Sequence, residues 1–179
     1  IITRLNIGGP ARQALLLTAW LQGGAFRSML VTGRAGAGEG ELAPLEPLAD
    51  GRQVVIPELQ REPHPGRDAV AFLKLLRVLW RERPTVIHTH MAKAGTLGRL
   101  AGLLYNALGP GRRQAERARL VHTFHGHVLE GYFSASVSRL FVMIERWLAR
   151  RTDCLIAVSP AIRDTLIHKG IGRPDQWRV

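Results

Sequence analysis

Short apolar segments alternate along this chain with longer segments whose apolar residues recur at helical spacing, and that alternation narrows the possible folds sharply. The clearest helical segment is Arg67–Arg83, where Ala69, Phe72, Leu73, Leu76, Leu79 and Trp80 repeat with a period near 3.6 and Pro84 ends the run. The apolar segment Thr85–His90 follows at once, then a helical pattern from about Ala94 to Leu108, then a second apolar segment, Leu120–His127. Strands separated by helices must run parallel and be covered on both faces, so the pattern predicts an α/β fold.

The remaining segments fit the same plan. Ile1–Leu5 reads as the tail of a first strand, and Asn6-Ile7-Gly8-Gly9-Pro10 as a turn with Pro10 as a first helical residue. Ala11–Gln22 is helical, closed by Gly23-Gly24; Phe26–Thr32 and Val54–Ile56 read as strands, with a glycine-rich loop at Gly33–Gly40. Ser136–Arg151 is amphipathic, with Val137, Leu140, Phe141, Ile144 and Leu148 on one face. Asp153–Val158 is a strand, Ser159-Pro160 caps the last helix, and Gly170 closes it.

A length of 179 residues with 46% hydrophobic content suits a single domain spanning the whole chain. The first residue is Ile1 inside a strand-like run, and Val179 falls at the start of another, so both ends are expected to be cut points. No apolar run is long enough to span a bilayer. Cys154, the single cysteine, cannot form an internal disulfide and lies in an apolar strand pattern, which favours a buried thiol in a reducing compartment. The net charge of +11 predicts an anionic partner: a phosphorylated substrate, a nucleic acid or an anionic membrane face. The stretch Gly109–Arg119, with arginines at 112, 113, 117 and 119, reads as an exposed loop.

Five of the seven histidines stand at the ends of the two apolar segments. In open α/β sheets ligands bind outside the carboxyl ends of the strands, and imidazole exchanges protons near neutral pH, so these histidines mark a site. His88 and His90 share a strand face by their spacing, as do His125 and His127. No Cys, Asp or Glu lies near enough in sequence to complete a compact ligand set, so no metal site is expected. Gly8-Gly9-Pro10 at a strand-to-helix turn suits a phosphate, and Arg12 adds charge there, although the turn also serves as a plain βα connection. Lys93 can reach over the sheet edge toward a ligand. Ser159 is explained by capping alone, and the absence of a Gly-x-Ser-x-Gly elbow argues against a serine hydrolase.

In order along the chain, four pieces resemble the N-terminal half of a retaining GT-B glycosyltransferase of the family 4 (group 1) type. They are Ile2-Thr3-Arg4-Leu5-Asn6-Ile7-Gly8-Gly9-Pro10; Val86-Ile87-His88-Thr89-His90 with Lys93-Ala94-Gly95; His122-Thr123-Phe124-His125-Gly126-His127; and Asp153-Cys154-Leu155-Ile156-Ala157-Val158-Ser159. The resemblance implies a Rossmann-like parallel sheet with helices on both faces, binding mainly the acceptor. It implies His125 at the reacting centre, and Gly8 and Gly9 near the donor diphosphate and sugar, with Arg12 beside them. Arg4, Asn6, His90, Lys93 and His127 would line the acceptor side, leaving His88 and His122 as structural residues.

The implied reaction is hexosyl-type transfer from a nucleotide-sugar to a glycan or polyprenyl-phosphate-linked acceptor, with no metal and no further cofactor. The implied setting is polysaccharide biosynthesis in the cytoplasm, with peripheral contact at the inner, anionic face of the membrane. The family's C-terminal Glu-x₇-Glu signature and its nucleotide-sugar-binding domain do not occur in this chain, so the polypeptide alone is expected to be inactive. Two other readings are a nucleotide-sugar epimerase lobe and a basic α/β module that binds nucleic acid through Gly109–Arg119. The second lacks any recognition motif, so nucleic acid is not an expected partner.

Overall fold

The structure is a computed structural model that describes residues 1–22, 25–36, 38–40, 42, 52–126 and 135–179. Among these residues the strands are β1 (Leu30–Thr32), β2 (Gln53–Val55), β3 (Val86–His90), β4 (Arg119–Phe124), β5 (Cys154–Ala157) and β6 (Trp177–Arg178). The helices are α1 (Gly9–Gln22), α2 (Pro65–Glu82), α3 (Ala92–Leu108), α4 (Ala135–Ala149) and α5 (Pro160–His168). Every strand pairing is parallel.

Ile2 joins the two halves of the sheet, forming parallel bridges to Thr32 on one side and His90 on the other. Its N–H donates to Val31 and the His90 N–H donates to Ile1, both at 2.9 Å. The expected strand Ile1–Leu5 is therefore present only as this double-sided bridge. The expected strand Phe26–Thr32 contracts to Leu30–Thr32, with Phe26 exposed. Across the sheet the order is β2, β1, the Ile2 segment, β3, β4, β5, β6. Chain progression reverses between the Ile2 segment and β3, so the crevice of a doubly wound sheet opens there.

Alternation along the strands feeds two cores. Leu30 packs with Ile2, Leu5, Ala11, Ala14 and Leu15 of the α1 side, whereas its neighbour Val31 joins Leu75, Leu79, Ala101 and Ile87 on the α2–α3 side. Adjacent strand residues point to opposite faces, so helices cover both. A third cluster, Leu155, Ala157, Leu166, Ile171 and Trp177, closes the β5–β6 end.

Local chemistry sets the helix ends. His64 Nδ1 accepts the Arg67 N–H at 3.2 Å, Asp68 returns a bond to the His64 N–H at 3.0 Å, and Pro65 opens α2. The buried stripe of α2 is Ala71, Leu75 and Leu79; of the expected face, Leu79 is buried and Phe72, Leu76 and Trp80 pack partly buried against the core, whereas Ala69 and Leu73 are exposed. Ser159 Oγ accepts the Ile162 N–H at 3.3 Å and caps α5, while Gly170 takes φ +70° beyond its end. The segments 23–24, 43–51 and 127–134, and with them the expected turn Gly23-Gly24 and most of the loop Gly126–Ser134, lie outside the described residues.

On α3, a side chain at Gly95 would meet His122 Cε1 at 2.4 Å, and one at Gly102 would meet Leu120 Cδ2 at 2.6 Å. Glycine at these positions lets α3 lie directly on β3 and β4. The same helix carries Arg99, fully buried, whose Nη2 contacts both carboxylate oxygens of Glu145 on α4 at 2.7 Å. Of the expected inner face of α4, Leu148 is buried and Phe141 and Ile144 are half-buried, whereas Leu140 is 57% exposed and Glu145 is buried beside Leu148.

Candidate functional site

β3 and β4 run side by side with Thr89 opposite His122 and His90 opposite Thr123. Because strand partners share a face, His88, His90 and Thr123 point to one side of the sheet, and Thr89 and His122 to the other. His88 Nε2 lies 2.8 Å from Thr123 Oγ1, and His122 Nδ1 lies 2.8 Å from Thr89 Oγ1 beneath Gly95. His122 is buried and held at both ends by packing and hydrogen bonding, as a structural histidine would be.

His125 follows β4 directly, at the carboxyl edge. Its Nε2 lies 3.0 Å from His90 Nδ1, so one ring donates and the other accepts. Burial pushes His90 down to about 2 and His88 to about 3, and it lowers His125 as well. His122 falls well below its ordinary value through burial first and the Arg99 charge second. The cluster is therefore neutral at physiological pH. His125 is a neutral hydrogen-bonding group rather than a fixed cation, and no partner of its second ring nitrogen occurs among the described residues.

Met91, between His90 and α3, adopts φ 66° and ψ 161°, a region that non-glycine residues rarely occupy. Strain of this sort costs on the order of 1–3 kcal/mol and concentrates at functional sites. It falls at the carboxyl end of β3, beside the point where the sheet order reverses.

Gly8 and Gly9 open α1 at the same edge, directly after the Ile2 segment. A side chain at Gly8 would find no atom closer than 3.8 Å, and one at Gly9 none within 4 Å. Internal packing does not require glycine at either position, in contrast to Gly95. Arg12 is exposed one turn on, its N–H donating to the Gly8 carbonyl at 3.1 Å. Asn6 is half-buried, between Leu5 and Ile7, whose backbones bond to Leu42 and Gly40.

Arg4 is buried and pairs with Glu39 at 2.6 Å, while the Gly36 N–H donates to the same carboxylate at 3.0 Å. These bonds, Gly36 first, hold the Glu39 carboxyl below the usual range. Arg4 and Glu39 line a cavity of about 360 Å³ with Arg34, Gln60, Arg61 and Glu62. Lys93 reaches the rim of this cavity, donating to the Glu62 carbonyl and pairing with Asp68. Its charge is thus matched within the fold and ties α3 to α2. His127 lies outside the described residues.

The structure therefore brings His90 and His125 together, sets Arg4 and Lys93 around one cavity, and leaves Gly8, Gly9 and Arg12 exposed. Sequence reasoning did not single out Arg34, Arg61, Glu39 or the strained Met91. The first two follow expected strands closely enough to have been found by asking which basic residues trail each strand end. Among the described residues no group of three or more His, Cys, Asp or Glu is arranged to hold a metal ion.

The fold recurs in solved proteins. Sucrose-phosphate synthase from Thermosynechococcus elongatus superposes with a TM-score of 0.62 at 16% identity, over 96% of this chain and 42% of that one. UDP-GlcNAc 2-epimerase from Methanocaldococcus jannaschii gives 0.59 at 12% identity, over 99% and 43%. A transferase and an epimerase on one scaffold show that the fold alone does not choose between those readings. Sequence does distinguish them. A curated relative, the UDP-Gal:alpha-D-GlcNAc-diphosphoundecaprenol alpha-1,3-galactosyltransferase of Escherichia coli, is 30% identical over 72% of this chain. The chain spans 31% and 28% of the lengths of the curated relatives it matches. The profile of the glycosyl transferase 4-like domain matches residues 8–179, nearly the whole polypeptide. With its parallel sheet, its histidine-bearing strand ends and its glycine turn, the chain belongs to that glycosyl transferase 4-like domain family.

Proposed function

We propose that the full-length protein transfers a hexosyl group, with retention, from a nucleotide-sugar to a glycan or polyprenyl-phosphate-linked acceptor, and that this domain forms the acceptor side of the cleft. The observation that carries the proposal is the neutral His90–His125 pair at the carboxyl edge, beside the crevice where the sheet order reverses. His90 holds one nitrogen of His125, and the other would serve as a donor or acceptor for a sugar or acceptor hydroxyl. Its lowered pKa makes it a weak base, suited to orienting a hydroxyl rather than holding a proton.

Gly8 and Gly9, unconstrained by packing, let the donor diphosphate approach the N-terminus of α1, with Arg12 adding charge. Arg4, Asn6, Lys93 and His127 complete the acceptor side. The chemistry needs the departing diphosphate stabilised and the acceptor aligned, which these groups supply without a metal. The donor's nucleotide would be held by a second domain.

The proposal extends to the setting. No described helix is long and apolar enough to cross a membrane. On α4, however, Leu140, Met143 and Trp147 recur at helical spacing and are exposed, with the Arg151 guanidinium 4.1 Å above the Trp147 ring. Together with a net charge of +11, this stripe supports peripheral contact at the anionic inner face of the cytoplasmic membrane.

The test is His125→Ala in the full-length protein, assayed with a nucleotide-sugar and a lipid-diphosphate acceptor. Turnover should fall by about 10²-fold or more with the melting temperature unchanged. Unchanged turnover would remove His125 from the reaction, and a product of inverted anomeric configuration would remove retention.

A further inference from the structure

The arginine-rich stretch at residues 109–119 takes no part in the cleft. It lies at the opposite end of the sheet, where α2 and α3 finish and β3 and β4 begin. The stretch is exposed at residues 112–115, 117 and 119 as expected, and two short 3₁₀ turns, Pro110–Arg112 and Gln114–Glu116, shape it. Asn106, buried on α3, clamps it from below: its Nδ2 donates to the Ala118 carbonyl at 2.8 Å and its Oδ1 accepts the Ala118 N–H at 2.9 Å. The backbone also sits tightly on aromatic rings. A side chain at Gly109 would meet the Trp80 ring at 2.5 Å, and one at Gly111 would meet the Tyr105 ring at 2.5 Å. Trp80 and Tyr105 pack edge to face, with ring centroids 5.7 Å apart.

This floor supports a cavity of about 540 Å³ lined by Arg83, Gly109, Pro110, Arg112, Arg113 and Glu116. Glu116 is the one acidic residue in the lining, shared between Arg83 at 3.8 Å and Arg113 at 3.6 Å. Arg112 has no ion pair among the described residues, and Arg117 and Arg119 follow on the same segment. Arg83 itself sits at φ 46° and ψ 57°, a left-handed position that favours glycine, yet carries the longest cationic side chain.

A plainer role for these arginines is to offset the helix C-termini, which together carry about one negative charge. That account falls short in magnitude. The lining sets three guanidiniums, Arg83, Arg112 and Arg113, against Glu116 and those dipole ends, leaving about one positive charge unmatched before Arg117 and Arg119 on the same segment are considered.

We propose that this cavity is a binding site for a phosphoryl group, distinct from the transfer cleft, in which Arg112 and Arg113 supply the principal contacts and Arg83 closes one side. Guanidinium groups match phosphate oxygens in geometry as well as charge, and a rigid floor reduces the ordering cost of binding. The phosphoryl group can belong to a soluble phosphate ester or to a lipid headgroup, since both present the same oxygens.

The experiment titrates inorganic pyrophosphate into the full-length protein while following the amide signals of Gly109, Gly111 and Arg112 and the Trp80 indole signal, which report this end of the domain only. Arg112→Ala/Arg113→Ala should weaken that response by about tenfold or more, whereas Arg163→Ala/Arg173→Ala, an equal loss of charge elsewhere, should leave it within about twofold. Sedimentation with phosphatidylcholine vesicles containing phosphatidic acid separates the sources. Loss of sedimentation in the first double variant identifies a headgroup, and sedimentation unaffected by it, with pyrophosphate still bound, identifies a soluble ester. Equal weakening in both double variants would reduce the site to diffuse charge and overturn the proposal. So would signals that pyrophosphate leaves unmoved, including the case in which random duplex DNA alone moves them.

Discussion

Replacing Glu145 with Gln isolates the energetics of the buried pair that joins α3 to α4. Both side chains are essentially inaccessible, at 0% and 1% exposure, and Arg99 Nη2 lies 2.7 Å from each carboxylate oxygen. With an effective dielectric constant near 20, the Coulomb attraction at that distance is about 6 kcal/mol. Glutamine keeps the shape and one acceptor but abandons the charge, so Arg99 is left buried and uncompensated, at a typical cost of about 3–5 kcal/mol. For a domain of this size the melting temperature should fall by about 6–20 °C.

Among the described residues Arg99 Nη1 has no hydrogen-bond partner, so the intact pair does not fully offset its own desolvation. Arg99→Met with Glu145→Leu should therefore restore stability to within about 2 kcal/mol of the parent, because apolar replacement of a buried pair is often neutral. Thermal melts of the parent, the single and the double variant decide it. A single variant that melts within about 2 °C of the parent would refute the reasoning. A double variant as unstable as the single would do the same, because the loss would then come from packing rather than from an unpaired charge.

Stability should also fall with acid in a window set by the histidines. His88, His90 and His122 stay neutral when folded but take up protons at about 6.5 once unfolded, so their contribution is complete above that pH and is lost as pH falls toward the folded values. Between pH 7 and 5.5 each contributes about 1.2 kcal/mol of loss, and about 4 kcal/mol together at most; denaturant midpoints that stay constant over this range would contradict it. Gly95→Ala should destabilise by about 1–3 kcal/mol in urea unfolding, because the new methyl group would sit against His122 and outweigh the helix propensity gained. Ser159→Ala should cost about 1 kcal/mol in the same assay through loss of the α5 cap, and a neutral result would show that Pro160 suffices.

The parts of this fold legible in the sequence are those governed by period. Thr85–His90 and Leu120–His127 announced β3 and β4, and Ser159-Pro160 announced the cap of α5, because each depends on neighbours in sequence. Spacing likewise put His88 and His90 on one face. The partnership of His90 with His125 was not legible, since it depends on which strands become neighbours and in what register. Arg99 and Glu145 were missed for a different reason. Periodicity arguments assign charges to the solvent face, and here two charges 46 residues apart bury each other, while the apolar Leu140 is exposed. α2 shows the same limit on a smaller scale: most of the expected face packs inward, but tertiary packing adds Ala71 and Leu75 and leaves Leu73 exposed.

The close seating of α3 on the sheet has a consequence for how order is acquired. With glycines at 95, 98 and 102, the segment gives up about 1 kcal/mol of intrinsic helicity at each, so as a free peptide it would be mostly coil. Its helical state is lent by β3 and β4, whose Thr89, His122 and Leu120 occupy the space the missing side chains leave. Helix and strands therefore gain their order together, each supplying the surface on which the other packs. The strand-borne part of the histidine site shares that dependence: amide exchange at His90 and His122 should track the packing of α3, whereas His125, beyond the end of β4, can open more locally.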